Sequence, residues 1–188
     1  ERDAFAATAA GVLATERDPV VRRALIRAVG QVGRSPGPLL VAAVDEAPAI
    51  RADALYALGT LADAGQPAHE RAAMASAAVE RARDPEAEVR VAAAWLLARL
   101  GDPTTEEWLS ALARDEDPQV RAFAARGLGA VATRPSLLEA LLGDRASAVR
   151  VEAAAALLAG RARAAGAGAR GGPDLAMEEA FANAIDRS

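Results

Sequence analysis

Cysteine and lysine are both absent from the 188 residues, and only six residues are aromatic. Without cysteine there are no disulfides, no thiolate metal sites and no thiol nucleophile. Without lysine there is no phosphate-loop lysine, no Schiff base and no lysine general base. A single histidine, His69, is all that metal or triad chemistry has to work with. Long apolar runs are missing too, because arginines and acids interrupt every helix-like stretch before the roughly 18 residues that a membrane span needs. No basic-then-apolar signal opens the chain. A membrane is therefore not expected as a partner, and the cytoplasm is the expected location. The start at Glu1 rather than methionine is what a processed chain or a fragment would show.

What the chain has in excess is alanine and arginine. Alanine accounts for 53 residues, and all 22 basic residues are arginine, set against 26 acids for a net charge of −4. Such alanine richness, associated with a high-GC bacterial coding bias, favours helices over sheet and implies a core of small, closely packed residues. The length suits one ordinary domain or a short repeat array. The acidic balance counts against a general nucleic-acid binder. It is unevenly placed: residues 84–117 hold nine acids (Asp84, Glu86, Glu88, Asp102, Glu106, Glu107, Asp115, Glu116, Asp117) against Arg90, Arg99 and Arg114, and the other 154 residues sum to +2. A partner docking near the middle is expected to be basic.

One pattern returns five times: DPVVRRALIRAVG at 18–30, APAIRADALYALG at 47–59, EAEVRVAAAWLLARLG at 86–101, DPQVRAFAARGLG at 117–129 and SAVRVEAAAALLAG at 147–160. Its marker arginines, Arg22, Arg51, Arg90, Arg121 and Arg150, lie 29, 39, 31 and 29 residues apart. A period near 30 is the signature of a helical repeat array. Asp18-Pro19, Asp84-Pro85 and Asp117-Pro118 are read as N-cap signals. Val120, Ala124, Gly127 and Leu128 illustrate the apolar face, at offsets 0, 4, 7 and 8. Gly30, Gly59, Gly101 and Gly129 are read as C-terminal stops. Second helices are expected at roughly 37–46, 67–83, 103–114 and 135–142, and an N-terminal capping helix over 1–16. Residues 161–172, rich in glycine, alanine and arginine, read as a flexible linker. The segment 173–188 reads as an amphipathic helix with Met177, Phe181 and Ile185 in one line, either capping its own array or docking on another copy or another protein.

The DP-x-VR-x-x-A-x-x-A-L-G pattern resembles the HEAT-like repeat of the phycobilisome-lyase type over roughly 18–160. The second and fifth units lack the Asp-Pro pair. The resemblance implies an all-α, right-handed α-solenoid of about five helical hairpins, with the marker pattern on outer helices and the second helices lining a concave face. It carries little about activity, since the family spans scaffolds, chromophore lyases, chaperone-like factors and a few enzymes.

The marker arginines are expected to be structural, each stem covering apolar surface while its head meets an aspartate or carbonyls. His69-Glu70 is one pair where metal catalysis needs several converging ligands, so His69 is expected to be solvated. Gly166, Gly168 and Gly171 follow no strand and do not make a dinucleotide loop. Arg27, Tyr56, Trp95 and Arg126 share offset 6, about 210° from the apolar centre. They form either a stacking row for a partner or, as favoured, packing between neighbouring helices. Trp108 lies on a flank of its helix, as core edge or binding anchor. The same wheel turns Glu107, Ser110 and Arg114 away from the core, and in the preceding second helix His69, Ser76 and Glu80. The expected partner-binding set is Glu80, Glu107, Trp108, Ser110, Arg114 and Glu139, with no catalytic, cofactor or metal residues. The function so read is a non-catalytic scaffold for a protein or peptide of basic character. The alternatives are a bilin-lyase-like chaperone holding a small molecule with an apoprotein and, less favoured, a DNA-binding HEAT protein.

Overall fold

The computed structural model describes residues 2–63, 65–131 and 135–166. Among them every regular element is a helix: α1 (Arg2–Thr15), α2 (Pro19–Val32), α3 (Gly37–Ala42), α4 (Pro48–Ala62), α5 (Ala68–Arg81), α6 (Ala87–Leu100), α7 (Glu106–Leu112), α8 (Pro118–Val131), α9 (Pro135–Leu141) and α10 (Ser147–Gly166). A 3₁₀ turn, Pro103–Thr105, leads into α7. The fold is an all-α solenoid of helical hairpins. It divides into two compact units, one ending at Leu100 and the other starting at Gly101.

In the first unit the marker helices α2, α4 and α6 pack in succession, with α1 against α2, α3 against α4, and α5 against α6. In the second unit α8 packs on α10, α7 on α8, and α9 on both α8 and α10. The face at offsets 0, 4, 7 and 8 is buried in both: Ile50, Ala54, Ala57 and Leu58 on α4, and Val120, Ala124, Gly127 and Leu128 on α8. Large apolar side chains such as Ile26, Leu55, Met74, Leu97, Leu109 and Leu128 are fully enclosed, and alanines fill the space between them.

Three local readings are corrected. Gly30, Gly59 and Gly129 do not stop their helices, which run on to Val32, Ala62 and Val131. They sit where the next marker helix crosses. A Cβ on Gly30 would lie 2.7 Å from the Ala57 Cβ, one on Gly129 would lie 2.5 Å from the Ala156 Cβ, and one on Gly59 would strike the Trp95 ring. These glycines are small-residue contacts that let helix axes approach. Gly101 alone of the four has a left-handed φ, +56°, and it does follow a helix end. Asp84-Pro85 is not the cap of α6, which starts two residues later at Ala87, whereas Asp18 and Asp117 each accept two backbone N–H groups in the first turn of α2 and α8. Finally, α10 continues through 161–166, the start of the expected linker. Alanine and arginine are strong helix formers, and Arg163 donates to the Gly129 carbonyl. Residues 167–172 and the segment 173–188 lie outside the described residues.

Candidate partner-binding surface

The marker arginines are consumed by the fold. Arg51 donates through Nη1 to the carbonyls of Asp45 and Glu46, both at 2.9 Å, and through Nε and Nη2 to the carboxylate of Asp84 at 2.9 and 2.8 Å. Arg121 repeats this arrangement, with the carbonyls of Asp115 and Glu116 and the carboxylate of Asp144. Arg22 reaches Asp45; Arg90 donates to the carbonyls of Asp84 and Pro85, and Arg150 to those of Asp144 and Arg145. In Arg51, Arg90, Arg121 and Arg150 the guanidinium thus clamps its own entry loop, and in the complete cases it also holds the next loop's carboxylate bidentately. These four arginines are buried.

The aspartates that receive them form a column that motif reading passed over. Asp45, Asp84, Asp115 and Asp144 each stand six residues before a marker arginine, and each accepts the backbone N–H two residues ahead. Glu16 takes the equivalent place before Arg22. Aligning the repeats on arginine instead of on Asp-Pro would have revealed the column. Burial pulls the Asp84 and Asp45 carboxyls upward, but the hydrogen bonds from Arg51 and Arg22, the backbone donors and the nearby charges hold both below the ordinary range. The Arg121 hydrogen bonds hold Asp144 low against its own burial.

The offset-6 row is used in packing. Tyr56 and Trp95 meet edge to face, with centroids 5.2 Å apart, and the cation over Trp95 is Arg99 of the same helix, 4.9 Å away. Arg27 bonds to Asp53. Arg126 pairs with Glu152 and lies over Phe123.

The exposed charges lie on the second helices. In the first unit, α5 leaves one strip outward: His69, Ala72, Ser76 and Glu80, with Glu80 only 3.8 Å from Arg81. No group of three or more potential metal ligands surrounds His69 or occurs elsewhere among the described residues. In the second unit, α7 exposes Glu107 and Ala111, with Arg114 exposed just past its end, and α9 exposes Ser136, Glu139 and Ala140. Both helices pack on α8. Trp108 is half-buried, and Arg114 folds back to donate to the Ser110 carbonyl at 2.8 Å. Ser110 is a correction, since it is buried rather than presented. On the wheel it lies about 60° from Glu107, while Ala111 and Arg114 lie within about 40°. At that edge of the strip Ser110 is covered rather than open. Away from these strips, a cleft of about 230 Å³ lies between α1, α2 and α3, lined by Ala7, Ala10, Val29 and Pro38 among others.

Successive marker helices, second helices beside them and an arginine clamp at four of the entry loops define an α-helical repeat protein. Residues 75–159 match the family model for HEAT repeats, and the arrangement of the helices accords with that likeness. No curated protein matches the sequence. Among solved structures, it is similar to the complex of CpcE and CpcF of phycocyanin lyase from Nostoc sp. PCC7120, with TM-score 0.69 and 23% identity over 82% of this chain and 64% of that one. An engineered protein matches with TM-score 0.64 and 20% identity over 84% and 79% of the two chains. A designed armadillo repeat protein in complex with the peptide (KR)4 matches with TM-score 0.61 and 17% identity over 94% and 86%. At these identities the likeness is one of fold. No helix among the described residues is long and apolar enough to cross a membrane.

Proposed function

We propose that the chain is a non-catalytic scaffold that binds a protein or peptide of basic character through the open strips of its second helices. One observation carries this reading: the marker arginines are tied into loops, while the carboxylates of Glu107 and Glu139 stand exposed on neighbouring second helices of the same unit. Glu80 has the corresponding place on α5. Half-buried Trp108 would supply an apolar anchor beside Glu107, and Arg114 a donor at the end of the strip. A repeat protein of similar fold is solved with an alternating Lys-Arg peptide, which supports the same chemistry here.

The test is a fluorescence-anisotropy titration with a labelled alternating Lys-Arg peptide. The chain should bind it with an affinity that falls as salt rises, because exposed charges are screened over about 10 Å at 0.1 M salt. No binding at low ionic strength would remove the reading. The likeness to a lyase complex favours a second reading, a chaperone that holds a tetrapyrrole with its apoprotein. The α1–α3 cleft, at about 230 Å³, is below the ~300–1,000 Å³ usual for ligands of drug size. Pigment retained on co-expression with a tetrapyrrole source would favour that second reading over the first.

A further inference from the structure

The marker helices meet one another through a fixed set of positions. Counted from the marker arginine, these are offsets 1, 5 and 8. From α2 to α4, Arg23 and Arg27 bond to Asp53 and Gly30 abuts Ala57. From α4 to α6, Tyr56 stacks on Trp95 and Gly59 lies beneath its ring. From α8 to α10, Arg126 pairs with Glu152 and Gly129 abuts Ala156. Where a following marker helix covers this face, a small offset-1 residue is buried: Ala52 is 5% exposed and Ala122 is 8% exposed, whereas the longer Arg23 stays half-buried in its pair with Asp53.

On α10 the same positions are Val151, Ala155 and Leu158. Val151 is 42% exposed, Leu158 is 39% exposed, and Ala155 is exposed between them. Ala162, one turn further on, is exposed as well. The chemistry of the face has also changed. The polar or aromatic handle at offset 5 is now alanine, and the glycine at offset 8 is now leucine. A further marker helix approaching as closely as Ala156 approaches Gly129 would collide with the Leu158 side chain. The face is wholly apolar, about 17 Å long at 1.5 Å per residue, and shaped for an occupant with large side chains.

We propose that the chain's own segment 174–188 packs as a helix on this face of α10. The segment follows α10 in the chain, and its sequence places Met177, Phe181 and Ile185 at i, i+4 and i+8, with Leu175 beside them. Fifteen residues of helix span about 22 Å, enough to cover the strip from Val151 to Ala162. Residues 167–173 (AGARGGP) reach about 15 Å as a flexible chain, more than the 8–10 Å between packed helix axes. Leu158 and Val151 then become buried on folding, and the large side chains of the segment replace the small-residue contact used elsewhere.

The absence of cysteine makes the test clean. Leu158→Cys introduces the chain's only thiol, and its reaction with a thiol reagent is compared with that of Ser136→Cys, an exposed site on α9. In the full chain the Leu158→Cys thiol should react at least about tenfold more slowly, a factor equal to ~1.4 kcal/mol of opening free energy. Phe181→Asp in the same chain should restore the rate, and protection should not depend on protein concentration. Equal rates for the two thiols would show an open face and overturn the proposal. Protection that vanishes on dilution, or that survives Phe181→Asp, would also overturn it, the first by assigning the face to a second copy.

Discussion

The loop edge and the second-helix strips use charged residues in opposite ways. At the loops, Arg51 and Arg121 are buried, bidentate and saturated with carbonyls and carboxylates. On the strips, Glu80, Glu107 and Glu139 face outward. Desolvation decides between the two roles. A buried charge is kept only with a full set of partners, and once so partnered it has no capacity left for a ligand. The loop charges therefore specify the repeat geometry, and the strip charges stay exposed, where the proposed partner would meet them.

That contrast is broken most forcefully by truncating one member of a buried pair. Arg121→Ala strands Asp144 and two loop carbonyls, and should lower unfolding stability by about 3–5 kcal/mol in urea melts. Arg126→Ala, which removes the exposed partner of Glu152, should cost at most about 1 kcal/mol in the same assay. Similar losses for the two would erase the distinction.

Gly129→Val comes next. An exposed mid-helix glycine is improved by a larger residue, but here the new Cβ falls 2.5 Å from the Ala156 Cβ. Overpacking should destabilise by about 1–3 kcal/mol, read as a lower urea midpoint. A gain in stability would mean that α8 and α10 are not in close contact.

Much of the plan is legible in the sequence because it recurs. Five returns of the VR pattern give the marker helices, and the columns at offsets 0, 4, 7 and 8 give their buried face. The glycines that follow the last of these columns mislead for a physical reason: a helix stop and a tight helix contact both select the residue without a Cβ, and only the neighbour's position tells them apart. Asp84-Pro85 misleads because the loop carboxylate and the N-cap carboxylate lie two residues apart in the chain, and either fits an aspartate. Ser110 fails because the helical wheel gives direction but not the width of the strip that packing leaves open. Glu80 and Glu107 are exposed as the wheel placed them, and Glu139 is exposed as well, yet no periodicity reveals what they bind.

A smaller effect is expected with acid. The carboxyl of Asp144 is held below its ordinary value in the folded chain, so its contribution is complete above the unfolded value near 4 and is lost as pH falls through the folded one. Stability should therefore drop below about pH 4, and Asp144→Asn, less stable at pH 7, should show a shallower acid decline. An identical acid limb in both proteins would contradict the clamp's electrostatic role.

The division of labour between loops and strips is tested most directly by measuring affinity and stability together in Glu107→Arg/Glu139→Arg. If the strips recognise the partner and the loops hold the fold, the melting temperature stays within a degree or so, as for surface changes. The affinity for an alternating Lys-Arg peptide at low salt falls by about tenfold or more, and the gap between the two proteins closes as salt rises. An unchanged affinity at low ionic strength would place recognition elsewhere on the molecule and contradict that division.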